Sequence, residues 1–75
     1  MIETKDLFQK SDLIPVIIQH WQTGEVLMLG FTNAEAYELT LQTHTAWFWS
    51  RSRQKLWNKG ESSGNFLHVN KMVTD

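Results

Sequence analysis

Seventy-five residues with four tryptophans, four phenylalanines and no cysteine describe one small domain with a single hydrophobic core. A chain of that size buries only about 60–65% of the surface its unfolded form exposes, and without cysteine neither disulfides nor thiolate zinc can staple it. A net charge of −1 argues against a general nucleic-acid binder, which is basic overall.

Met1 to Lys10 is mixed in character, with at most a helical turn around Asp6-Leu7-Phe8. Glu3, Lys5 and Asp6 leave no apolar signal core there, so a cytoplasmic protein is the expectation. The longest apolar runs, such as Val26 to Leu29, are far too short to span a bilayer. From Leu13 the sequence LIPVIIQHW is a β-branched apolar run that predicts a strand. Pro15 cannot donate to a ladder, which places it near that strand's beginning or on an edge. Gln22-Thr23-Gly24-Glu25 predicts a tight turn, with Gly24 supplying a positive φ. Glu25 to Phe31 predicts the returning strand of a hairpin.

Thr32 followed three residues later by Glu35 has the spacing of a capping box and predicts a helix from Asn33 to Gln42. Ala36 and Leu39, with weaker support from Tyr37 and Leu41, would form its packing stripe. Thr43-His44-Thr45 is poor helix material and should end it. Ala46 to Ser50 predicts a third strand, Ser52 to Lys55 a turn, Lys55 to Asn58 a short return, and Phe66 to Val73 a final strand. Most connections are short, which favours antiparallel pairing. The expected architecture is α+β, a small and mostly antiparallel sheet of about five strands with one packed helix.

The chemistry concentrates between Trp47 and Asn65, WFWSRSRQKLWNKGESSGN. Arg51, Arg53, Lys55 and Lys59 form a positive run with no acid inside it, and Gly60 and Gly64 bracket Glu61, Ser62 and Ser63. Backbone N–H groups of such a loop can converge on phosphate oxygens while the cations offset the charge. The competing reading is a hairpin with tryptophans on the core face, arginines on the wet face and KGESSG as a turn, and on spacing alone it carries more weight. His20, His44 and His68 are scattered and predict no metal site. Glu61 as a base or ligand weighs less than an exposed turn carboxylate, and Ser62 and Ser63 have no adjacent histidine to activate them. Single-stranded RNA binding through Trp47, Trp49 and Arg51 is a minor alternative that the net charge disfavours.

TGEVLMLGFTNAEAYELTLQT followed by WSRSRQKLWNKGESSGN resembles the N-terminal half of phosphoribosyl-AMP cyclohydrolase, an enzyme family of histidine biosynthesis. The likeness runs from about Leu13 to Asp75 through several separated motifs, which makes it far more specific than a lone glycine loop. The resemblance implies hydrolysis of the N1–C6 bond of the adenine ring in phosphoribosyl-AMP, with zinc activating water and magnesium handling substrate. It implies that Trp49, Arg51, Ser52 and Arg53, together with Lys59, Gly60, Glu61, Ser62, Ser63 and Gly64, help form the substrate pocket. That reverses the balance between the two readings.

In the family this half is followed by an acidic metal-binding motif and by cysteines that complete a zinc site. Here Asp75 falls at the first of those aspartates, and a single terminal carboxylate would hold magnesium poorly. The position between Trp57 and Lys59, often histidine in the family, is Asn58. The expectation is a cyclohydrolase-like domain without catalytic residues of its own and with no cofactor for the isolated chain, keeping a nucleotide or phosphate pocket. The alternatives are one part of a split enzyme completed by a separate C-terminal chain, and an interaction protein with a vestigial pocket. Half of a sheet fold should bare an edge and apolar surface, which predicts a homo-oligomer, most simply a twofold dimer.

Overall fold

A computed structural model describes residues 3–61, 64 and 67–73. Its elements follow the order α1 (Thr4–Leu7), β1 (Ile14–Gln19), β2 (Val26–Thr32), α2 (Ala34–Thr43), β3 (Trp47–Ser50) and β4 (Lys55–Asn58). The strands form two separate antiparallel sheets of two strands each, β1 with β2 and β3 with β4, so the α+β class holds. The single sheet of about five strands does not form among the described residues.

The first hairpin closes where the sequence places its turn. His20 donates its N–H to the Glu25 carbonyl and Gly24 donates to that of His20, each at 2.8 Å, and Gly24 takes φ +78°. Val16 lies opposite Gly30 and Ile17 opposite Leu29, and the register then shifts so that Gln19 meets Val26 and Leu27 bulges out. Alternation puts Ile17, Leu29 and Val26 on one face. That face is uncovered, with 61%, 59% and 62% of the respective side chains exposed.

The opposite face meets the second sheet at a single point of very close approach. A Cβ on Gly30 would lie 2.6 Å from Cδ1 of Phe48, so only glycine lets that ring settle on β2. Phe48 is the largest fully buried side chain and packs on Trp57, its cross-strand partner, with ring centroids 5.2 Å apart. The hairpin reading put the tryptophans on the core face. In the structure Trp47 and Trp49 are half-buried and the core position belongs to Phe48 between them.

Helix α2 is capped by Asn33, whose Oδ1 accepts from the Ala36 N–H at 2.8 Å. The expected Thr32–Glu35 capping box does not form. Thr32 is the last residue of β2, is buried, and directs its hydroxyl to the Asn33 carbonyl. The helix buries Ala36, Tyr37 and Thr40, while Leu39 and Leu41 stay half-buried. Thr40 can sit in the core because its hydroxyl donates to the Ala36 carbonyl and accepts from the Trp47 N–H, both at 3.0 Å. His44 ends the helix in the left-handed conformation at φ 61°. The short α1 reaches this layer through Phe8, which meets Tyr37 edge-on at 6.2 Å. Burial, then the neighbouring Glu38, raises the Tyr37 pKa above its ordinary value.

The final strand expected over Phe66 to Val73 reduces to one antiparallel bridge, Thr45 with His68. Ala46 donates to the Leu67 carbonyl and Val69 to that of His44. Among the described residues its partner is the three-residue corner between the end of α2 and the start of β3, too short for a ladder. The Ala46 carbonyl is already taken by the Lys59 N–H at 3.0 Å. Phe66 itself lies outside the described residues. Among the described residues no helix is long and apolar enough to cross a membrane.

Candidate nucleotide-binding site

The candidate site is built on the β3–β4 hairpin. Arg51 to Gln54 links the strands as a turn, with Gln54 at φ +53°, and the Ser50 hydroxyl accepts from the Arg53 N–H at 3.2 Å. Gln54 donates its side-chain amide to the Arg51 carbonyl at 2.7 Å. These local bonds hold a turn in which all four side chains are exposed.

Two depressions flank this hairpin and share Ser50 and Trp57. The larger, of about 520 Å³, runs between the sheets and is lined by Gly30 and Phe31 on β2 and by Trp49, Arg51 and Ser52. The smaller, of about 390 Å³, is lined by Arg53, Asn58, Lys59, Gly60 and Glu61. The residues expected to act together are therefore divided. Trp49, Arg51 and Ser52 border one depression, and Arg53, Lys59, Gly60 and Glu61 border the other. Arg51 is turned to the sheet interface, its guanidinium carbon 3.9 Å from the centre of the Phe31 ring.

The loop after β4 uses glycine where its backbone requires it. Gly60 is buried at φ +102° and Gly64 takes φ +82°. Glu61 donates its N–H to the Asn58 carbonyl and Gly64 donates to that of Gly60, which turns the chain back on itself. Ser62, Ser63 and Asp75 lie outside the described residues.

Sequence reasoning missed Gly30, Phe31, Ser50, Trp57 and Asn58 as parts of the site. Gly30 carried a usable signal, since glycine inside an apolar strand marks close approach of another element. Phe31 carried none, because its role depends on a sheet that packs against it from elsewhere in the chain.

The described residues do not fit a metal. No group of three or more histidine, aspartate or glutamate side chains gathers among them, and the chain has no cysteine to supply thiolate. What the site offers is aromatic surface beside two cations, Arg53 exposed and Lys59 half-buried. Arg53 and Lys59 can pair with anionic oxygens, while Trp57 presents a ring between the two depressions.

The fold is of the α+β class, and comparison with known proteins makes that class specific. Residues 28–75 match the family model for phosphoribosyl-AMP cyclohydrolase. The chain belongs to this family. It is 57% identical over 68 residues to a histidine biosynthesis bifunctional protein of Lactococcus lactis, covering 91% of this chain and 32% of that protein. It is 54% identical over 70 residues to a phosphoribosyl-AMP cyclohydrolase of Clostridium botulinum, covering 93% and 64% of the two chains. A phosphoribosyl-AMP cyclohydrolase of Streptococcus thermophilus is 47% identical over 76 residues, covering 100% of this chain and 68% of its own. The chain thus spans about a third to two thirds of the length of these relatives.

Proposed function

We propose that these residues form the nucleotide-binding part of a phosphoribosyl-AMP cyclohydrolase and do not by themselves hydrolyse the purine ring. The observation that carries this reading is the depression in which Arg53 and Lys59 stand beside Trp57 and the Gly60 turn. Cations held next to an aromatic ring suit a ligand that joins a phosphate to a flat base. The chain's own residues would bind the phosphate through Arg53 and Lys59 and orient the base along Trp57. Activation of water by zinc, and substrate handling by magnesium, would need ligands that the described residues do not supply.

An NMR titration of the labelled chain with AMP and then phosphoribosyl-AMP, with and without magnesium, tests this. Saturable shifts at Arg53, Lys59, Gly60 and Glu61 are expected, and flat spectra at millimolar ligand would overturn it. Cyclohydrolase turnover by the chain alone, with zinc and magnesium supplied, would overturn the non-catalytic part. Turnover that appears only on adding a C-terminal polypeptide would favour a split enzyme instead.

A second observation favours assembly. The uncovered face of the first hairpin carries Ile17, Val26 and Leu29, and Trp21 in the adjoining turn is 71% exposed. Apolar surface gathered on one sheet face is characteristic of an interface, and we propose a twofold homodimer through it. Light scattering that finds only monomer at high concentration would refute the dimer.

A further inference from the structure

We infer that the larger depression is a second anion subsite, so that the two depressions together hold one ligand with a phosphate at each end and a flat base across Trp57. The inference rests on the nucleotide reading of the smaller depression and adds a second binding group to it. Ser50 and Trp57 line both depressions. Trp57 pairs with Phe48, and Ser50 lies two residues further along β3, so both side chains stand on one face of the second sheet. The depressions open on that face and share Trp57 as a wall.

Each depression has cations of its own, Arg51 in the larger and Arg53 with Lys59 in the smaller. The one ion pair among the described residues is Lys5 with Glu3, so none of these three cations has a carboxylate partner among them. Glu61 lines the smaller depression, and no acid lines the larger. Arg51 is held over the Phe31 ring at 3.9 Å, an attraction that leaves its in-plane N–H donors for a phosphate. Those donors meet no acceptor among the described residues. Beside it, Ser50 Oγ accepts from the Arg53 N–H and lies 3.4 Å from Ser52 Oγ. That contact uses one of the two hydroxyl protons, and the other is left to donate to a ligand.

One phosphate does not serve both groups of cations. Ser50 faces Lys55 at one end of the β3–β4 ladder, and Lys59 follows Asn58 at the other. The rise from Lys55 to Lys59 is about 13 Å of backbone at about 3.3 Å per residue. Arg51, next to Ser50, and Lys59 therefore lie at opposite ends of the hairpin, with the Trp57 ring between them. Two anionic groups joined through a flat centre match that spacing of charge and aromatic surface.

The test compares AMP with phosphoribosyl-AMP, which carries a second phosphate beyond the base, by calorimetry on the 75-residue chain. Phosphoribosyl-AMP should bind about tenfold more tightly, the factor expected of charge-assisted hydrogen bonds to one more phosphate. Arg51→Ala should abolish that margin and leave AMP affinity within about twofold, the remainder of long-range charge attraction. Arg53→Ala should weaken both ligands by the same factor. Equal affinities in the unmodified chain would overturn the second subsite while leaving the nucleotide site standing. So would a margin that survives in Arg51→Ala, or an Arg51→Ala that weakens AMP as much as phosphoribosyl-AMP. If neither ligand binds the unmodified chain, the nucleotide reading fails and this inference with it. Should Arg51→Ala not fold, amide shifts in the unmodified chain decide. Phe31, Arg51 and Ser52 should respond to phosphoribosyl-AMP and not to AMP, and the same response to both would overturn the proposal.

Discussion

The β1–β2 hairpin pairs six positions and leaves Ile17, Val26 and Leu29 in solvent, whereas the β3–β4 hairpin pairs four and encloses Phe48 almost completely. Ladder length and burial therefore run in opposite directions in this molecule. The longer hairpin has more backbone bonds and a bare face. The shorter one packs through a ring set between Gly30 and Trp57, beside the Trp47 N–H bond to Thr40, and the candidate site is mounted on it. An isolated two-stranded hairpin is marginal in water, so the platform of the site depends on that ring.

The largest effect should come from removing the ring. Phe48→Ala is expected to cost about 3–5 kcal/mol, close to the whole stability of a domain this small. Urea denaturation followed by tryptophan fluorescence would read it. A loss below about 1 kcal/mol, the scale of an ordinary substitution, would mean that the short hairpin stands without its packing. The converse change is Gly30→Ala, which forces a methyl into the space of the Phe48 ring. Overpacking of that kind costs about 1–3 kcal/mol. If Gly30→Ala were neutral, the close approach of the two sheets would not be what holds them.

Arg51 crosses between the hairpins, and its effect should be smaller. An exposed cation over an aromatic ring contributes about 0.5–1 kcal/mol, so Arg51→Ala should lower stability by that amount. Its effect on AMP affinity should be weaker than that of Arg53→Ala or Lys59→Ala, because Arg51 borders the other depression. Equal losses of affinity in all three variants would show the two depressions acting as one site.

The same contrast explains what could be read in advance. The first hairpin, its turn at Gly24 and the return over Lys55 to Asn58 were legible because each depends on local pattern. The helix was legible too, but its cap was not, since Thr32 and Asn33 both suit that role and the strand claims Thr32. The final strand failed for a tertiary reason, the shortness of the corner it meets at Thr45. Within the site, the cations and the glycine loop stood out as residue types in a run. Their division between two depressions follows from Arg51 turning to Phe31, a residue twenty positions earlier, and no spacing rule reports such a contact.

The smallest effect separates folding from assembly on the uncovered face. Leu29 is 59% exposed and faces Ile17 across the ladder. In a dilute monomer Leu29→Thr removes little buried surface and introduces a β-branched residue suited to a strand. Its stability should stay within about 0.5 kcal/mol of the unmodified chain. At high concentration the two chains should part company. The unmodified chain gains stability by mass action from its partner, while the Leu29→Thr variant scatters light as a monomer. If the variant instead loses stability equally at both concentrations, Leu29 is already covered within one chain. The first hairpin would then be packed like the second, and the contrast between them would disappear.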